Sequence, residues 1–129
     1  MIRILIADDS PHILDSLSTL LAAQTEFELV GTASDGLEAV EKASRLMPHV
    51  VIMDAQMTHL DGVEATRRIK QECPDVKILF FSVFTEYLEA SMAAGSDGYL
   101  TKDCEVEELF AEVRRLASNA GESPDPNTS

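Results

Sequence analysis

Two adjacent carboxylates at Asp8-Asp9, a third at Asp54, a hydroxyl at Ser82 and an ammonium at Lys102 are the groups of this chain best suited to chemistry. Each follows a short apolar run: IRILIA before Asp8, VVIM before Asp54, VKILFF before Ser82 and GYL shortly before Lys102. An aspartate placed directly after four apolar residues is in an odd position for a purely structural charge. If the runs are neighbouring strands, the three carboxylates converge, and like charges that close raise one another's pKa unless a cation neutralises them. An all-oxygen donor set suits Mg²⁺, which keeps several waters and needs only a few carboxylates. Lys102 can then pair with the oxygens of a phosphoryl group while Ser82 donates a hydrogen bond to it. An Asp54 carboxylate held in this company is a competent nucleophile toward phosphorus. Taken singly the same residues are ordinary. Asp8-Asp9 caps a helix as readily as it binds a metal, Ser82 ends a strand, and most lysines lie on surfaces.

The elements that must bring these groups together alternate regularly. Strands are expected at Ile2–Ala7, Phe27–Ala33, Val50–Met53, Val76–Phe81 and Gly98–Leu100, from apolar runs bounded by turn residues. A helix opens at Ser10-Pro11, with serine as cap and proline as the first helical residue, and Leu14, Leu17 and Leu21 line one face of it. The second starts near Asp35-Gly36, turns Leu37, Val40, Ala43 and Met47 inward and stops at Pro48. Asp61-Gly62 begins the third, with Val63, Thr66 and Ile69 inside and Pro74 beyond its end. Thr85 to about Ala94 is the fourth, closed by Gly95. Cys104–Ser118 is the fifth, carrying Val106, Leu109, Phe110, Val113 and Leu116 at helical spacing. Such alternation implies an α/β fold: a five-stranded, doubly wound parallel sheet flanked by five helices. With strand order 2-1-3-4-5 the first and third strands meet where the order reverses, and ligands of open α/β sheets bind at that point. The same order delivers Asp8, Asp9 and Asp54 into one crevice.

With 129 residues the chain suffices for one domain and its core. Against 10 basic residues stand 23 acidic ones, a net charge of −13, which repels nucleic-acid backbones and anionic membrane surfaces. Direct nucleic-acid binding and membrane association are therefore not expected. Much of the excess serves solubility, and it also suits a chain that gathers a divalent cation. Cys73 and Cys104 are far apart and outside any CxxC pattern, as in reduced cytosolic proteins. The opening MIRILIADDS is too short an apolar run for a signal peptide, and no stretch reaches the ~20 apolar residues of a membrane span. A cytoplasmic address follows by elimination. Residues 119–129, NAGESPDPNTS, read as a disordered tail or interdomain linker after a domain at 1–118. His12, His49 and His59 are not spaced as metal ligands; His59, five residues past Asp54, reads as solvated surface near the crevice.

In order along the chain, Asp8-Asp9, Asp54, Met57 with Asp61-Gly62, Ser82 and Gly98-Tyr99-Leu100-Thr101-Lys102 resemble the receiver domain of two-component response regulators, over about residues 2–118. The resemblance implies that a histidine kinase phosphorylates Asp54, forming an acyl phosphate. It implies Mg²⁺ held by Asp9, with Asp8 assisting, together with Asp54 and the backbone carbonyl of Gln56. Ser82 would move to the phosphoryl group and Tyr99 turn inward behind it, changing the surface of the fourth helix, fifth strand and fifth helix. A receiver catalyses only its own phosphorylation and dephosphorylation, so the chain is expected to be a signalling domain and no enzyme in the usual sense. Homodimerisation on phosphorylation is a further implication. The chain departs from the family pattern at Thr58, where proline is usual, and at Asp103, where proline often follows the lysine. The second departure is shared with the subfamily that carries a LuxR-type helix-turn-helix, which the run AGSDGYL and the proline-containing tail also favour. An output DNA-binding domain would then lie outside this chain.

Two rival chemistries fail on spacing. A phosphatase with an aspartyl nucleophile needs a second aspartate two residues on, where this chain has Gln56. A flavin carrier needs a hydroxyl- and glycine-rich turn after the first strand, and Asp-Asp-Ser-Pro is acidic. The alternative that remains is a receiver-like interaction module that is never phosphorylated.

Overall fold

A computed structural model describes residues 1–119. Its elements are β1 (Ile2–Ala7), α1 (Pro11–Ala22), β2 (Phe27–Ala33), α2 (Gly36–Leu46), β3 (Val50–Met53), α3 (Gly62–Glu72), β4 (Lys77–Ser82), α4 (Leu88–Ala94), β5 (Gly98–Thr101) and α5 (Val106–Asn119). All strand pairs are parallel, in the order β2-β1-β3-β4-β5, as expected. The expected linker falls, beyond Asn119, outside the described residues.

β3 is buried at every position, and β1 and β4 nearly so, because apolar helices cover both faces of the sheet. On one face Leu17 and Leu21 of α1 and Leu109, Phe110, Val113 and Leu116 of α5 pack against Ile4, Ile6, Ile52 and Leu79. On the other, Ala39 and Ala43 of α2 and Ala65 and Ile69 of α3 pack against Leu5, Val51, Met53, Ile78 and Phe80. Three helices are started by side-chain caps that satisfy otherwise free N–H groups. Ser10 Oγ accepts from Ile13 N at 3.3 Å, while Asp35 and Asp61 Oδ1 accept from Glu38 N and Glu64 N, each at 2.8 Å. Gly95 closes α4 at φ 106°, in the left-handed region where a side chain is strained.

The structure corrects several local expectations. α2 does not bury Leu37 and Met47, which are 50% and 48% exposed; its inner face is Gly36, Ala39 and Ala43. Small residues let α2 approach closely: a Cβ on Gly36 would stand 1.9 Å from the Leu60 carbonyl oxygen. α4 starts at Leu88, three residues later than Thr85, and its cap position, Tyr87, makes no side-chain capping bond. β4 is shifted by one residue, because Val76 N is spent in a turn on Cys73 O at 3.0 Å. β5 runs one residue further, to Thr101, and α5 starts at Val106 after a turn closed by Cys104 N on Thr101 O. Val106, the first of the apolar residues spaced along α5, is 39% exposed.

Candidate functional site

Parallel pairing sets the carboxyl ends of β1, β3, β4 and β5 side by side. Ala7 is in register with Met53, Met53 with Phe80, and Ser82 with Thr101. The ladder continues just past the strands: Asp8 N donates to Ala33 O, Asp54 N to Ala7 O and Lys102 N to Ser82 O, at 3.0, 2.9 and 2.8 Å. Backbone hydrogen bonds thus fix where Asp8, Asp54 and Lys102 leave the sheet. Behind Asp54 the start of α3 presses close. Gly62 N donates to Ala55 O at 2.8 Å, and a Cβ on Gly62 would lie 1.9 Å from the Asp54 carbonyl oxygen.

The side chains meet. Carboxylate oxygens of Asp8, Asp9 and Asp54 lie within 4.8 Å of one another. Asp8 and Asp54 are buried and Asp9 is exposed. Lys102 Nζ stands 2.7 Å from Asp8 Oδ2 and 3.2 Å from Asp54 Oδ1. Asp8 Oδ1 also accepts from Ser10 N at 2.9 Å, so Asp8 serves the first helix turn and the lysine together. Ser82, also buried, accepts from Phe84 N on Oγ at 3.3 Å.

Three carboxylates facing one ammonium leave an excess of negative charge, and the titration of Asp54 registers it. Burial first, then the charge of Asp8, pushes its pKa up to about 6, against the pull of Lys102. Burial alone would lower Lys102, but its hydrogen bond to Asp8 and the charges of Asp54 and Asp8 prevail, so the ammonium is held above its usual range. A group of hard oxygen donors with unneutralised charge fits a small divalent cation of the Mg²⁺ type.

The crevice is lined by Asp9, Asp54, Gln56, Ser82, Val83, Phe84 and Lys102. A second hollow, lined by Met1, Ile2, Glu26, His49 and Ala117, lies at the opposite strand ends and gathers no comparable set of charges. Tyr99 is half-buried with its ring stacked on Phe80, centroids 5.7 Å apart, and its hydroxyl donates to the Phe84 carbonyl. Burial pushes the Tyr99 hydroxyl above its usual pKa, opposed by hydrogen bonding to Ser82 and to the Tyr87 backbone. Every site residue expected from the sequence except Tyr99 therefore lines the crevice or pairs within it, and Tyr99 touches the loop that forms its rim.

Two contacts had no signal in the sequence. Gln56 Nε2 donates to Tyr87 Oη at 2.7 Å, joining the loop after β3 to the entrance of α4. His59, at a positive φ of 67°, places Nδ1 3.0 Å from Asp35 Oδ2, on the cap of α2. Both depend on tertiary approach of loops and show no local periodicity.

The family model for the response regulator receiver domain matches residues 4–114. The response regulator protein VraR of Staphylococcus aureus is 36% identical over 124 residues, which cover 95% of this chain and 58% of that protein. The chain thus spans little more than half the length of the curated relatives it matches. A two-component response regulator of the LuxR family from Aurantimonas sp. SI85-9A1 shares the fold with a TM-score of 0.84 at 29% identity, covering 98% of this chain and 92% of that one. The receiver domain of the sensor histidine kinase PA1611 from Pseudomonas aeruginosa, solved with a magnesium ion coordinated in its active-site cleft, matches at 0.81 and 26% identity, covering 90% and 97%. Among the described residues no helix is long and apolar enough to cross a membrane. With strand order, acidic crevice and family match in agreement, the chain belongs to the receiver domains of two-component response regulators.

Proposed function

We propose that Asp54 accepts a phosphoryl group from a histidine kinase and that the chain relays this event to an output domain or partner. One observation carries the reading: Lys102 bridges Asp8 and Asp54 at the lip of a crevice where three carboxylates lie within 4.8 Å. Asp54 is the nucleophile. Its carboxylate forms the new bond to phosphorus as the bond to the donor nitrogen breaks. Lys102 pairs with the phosphoryl oxygens, and Ser82 donates its hydroxyl to them. Asp8, Asp9, Asp54 and the backbone carbonyl of Gln56 would hold Mg²⁺, which when bound neutralises charge on the carboxylates and phosphoryl oxygens.

Ser82, buried, and Tyr99, half-buried, would pass the change outward. Ser82 Oγ is held by Phe84 N and Tyr99 by Phe84 O, so Ser82 can leave for the phosphoryl only by loosening the loop that leads to α4. Similarity to LuxR-family regulators supports a role in transcription regulation, with residues 1–118 as the receiver, 119–129 as linker and a DNA-binding domain beyond this chain. A cytoplasmic site of action and homodimerisation on phosphorylation belong to the same reading.

Incubation with acetyl phosphate and Mg²⁺, followed by intact-mass measurement, tests it. The wild type is expected to gain one phosphoryl group, and neither Asp54→Asn nor a chelator-treated sample should. A gain that persists in Asp54→Asn removes the assignment, and no gain in the wild type favours an unphosphorylated interaction module.

A further inference from the structure

We infer that Thr101 and Asp103 brace the turn that carries Lys102 and so position its ammonium for phosphoryl transfer to Asp54, an inference that rests on the phosphoacceptor reading above. A lysine is hard to hold in one place, because its charge sits at the end of a flexible four-carbon stem. Here β4 lies between the strand of Lys102 and that of Asp54, and the stem must reach across it. Lys102 Nζ nonetheless pairs with Asp8 and Asp54, and with no other carboxylate among the described residues. An error in where the stem leaves the backbone would be carried along it to the ammonium.

Two backbone hydrogen bonds fix that point of departure. Lys102 N donates to Ser82 O at 2.8 Å, and Cys104 N closes the turn on Thr101 O at 3.0 Å. Asp103 lies between these two anchors and is exposed. A third bond, between side chains, closes the same turn: Thr101 Oγ1 donates to Asp103 Oδ1. Its two partners flank Lys102, so the bond restricts the backbone of Lys102 itself, as a side chain that imitates a turn does. A hydroxyl on a carboxylate is a charge-assisted bond and stronger than one between neutral groups. Thr101 is half-buried at the end of β5, which gives the brace a fixed side.

In the transfer from acetyl phosphate, an Asp54 carboxylate oxygen forms the bond to phosphorus while the bond from phosphorus to the acetate oxygen breaks. Acetate leaves with that electron pair, and Lys102 keeps its proton throughout. Thr101 and Asp103 touch none of the reacting atoms and act only through Lys102, so both are positioning residues.

The test measures the rate of mass gain with acetyl phosphate and Mg²⁺ in a set of variants. Thr101→Val keeps the shape of the side chain and removes the donor, and Asp103→Ala removes the acceptor. Each should slow labelling about threefold, the worth of one hydrogen bond in orientation. The two changes together should be no slower than either alone. Thr101→Ser and Asp103→Asn, which keep a donor and an acceptor, should label at close to the wild-type rate. In a Lys102→Met background, Thr101→Val should change nothing further. A second readout needs no phosphoryl group: the Lys102 ammonium protons, followed by NMR, should exchange with water faster in Thr101→Val. An unchanged rate in Thr101→Val overturns the inference and leaves Asp54 as phosphoacceptor. So does an undiminished effect in the Lys102→Met background. Asp103→Asn as slow as Asp103→Ala overturns it as well, by showing that the charge of Asp103 matters and the bond does not. Failure of the wild type to label overturns both readings, with the ammonium exchange still reporting whether the brace holds Lys102.

Discussion

At the amino ends of β4 and β5, the Lys70 ammonium donates to the carbonyls of Pro74 and Val76 and to Asp97 Oδ2, all at 3.0–3.1 Å. The same Asp97 oxygen accepts from Ile78 N at 2.8 Å. Nearby in the sheet, the Arg3 guanidinium donates to Leu46 O and Met47 O at the end of α2, where a cation suits the helix dipole. At the carboxyl ends, Lys102 is shared between two carboxylates while a third stands close by. Both ends contain a well-shielded lysine, yet only one balances its charge. The balanced end stitches chain segments together. The unbalanced end tolerates electrostatic discomfort in the resting state, and that discomfort is what a cation and a transferred anion relieve.

Exchanging the two lysines for methionine probes this contrast most sharply. Lys102→Met should slow labelling by acetyl phosphate about a hundredfold, by loss of a preorganised partner for the phosphoryl oxygens. Lys70→Met should leave the labelling rate within about twofold but cost about 2–3 kcal/mol in urea unfolding, because Asp97 loses its ion pair in a half-buried site. Comparable loss of labelling in both variants would erase the functional distinction between the ends.

Next in size is the effect of the metal. At a hundredfold excess over its Kd, Mg²⁺ should stabilise the wild type by about 2.7 kcal/mol, read as a rise in Tm. Asp9→Ala should fold normally and show little of that rise, since Asp9 is exposed and serves no core contact. An undiminished rise would place the metal elsewhere.

The smallest expected effect is a pH dependence. Asp54 in the fold titrates near pH 6 against the ordinary 3.8, so the fold favours its protonated form. That favourable contribution is complete below about pH 4 and is lost as pH rises through about 6. After allowance for solvent screening, the loss amounts to about 2 kcal/mol at neutral pH. Metal-free wild type should therefore lose stability relative to Asp54→Asn between pH 4.5 and about 7.5, measured by urea unfolding in chelator. A constant difference across that range would mean that Asp54 is solvated like any surface carboxylate.

What the sequence discloses follows from where periodicity operates. The strand ends are legible because each apolar run stops abruptly at a polar residue, so Asp8, Asp54 and Lys102 mark their own positions. Alternation of elements implies a parallel sheet without fixing its order; the order 2-1-3-4-5, taken as the arrangement that brings the carboxylates together, is the one observed. The inner face of α2 is hidden from a count of large apolar residues, because its close approach requires the small Gly36, Ala39 and Ala43. The end of α4 is legible at Gly95, but its start is not, because no capping signal marks Leu88; the residue at its cap, Tyr87, is engaged by Gln56 instead. Contacts between loops, such as those of Gln56 and His59, depend on the finished fold and leave no mark in local spacing.

The bare α-carbon at position 62 has a mechanical consequence. No methyl group could be inserted between the first turn of α3 and the peptide that bears the phosphoacceptor, because the gap is already filled by the carbonyl itself. Helix and nucleophile are joined like two faces of a dry-stone wall, with no mortar to absorb a displacement. A push on the front of α3, from a docking partner or an engineered mutation, would be felt at the nucleophile within the same small movement.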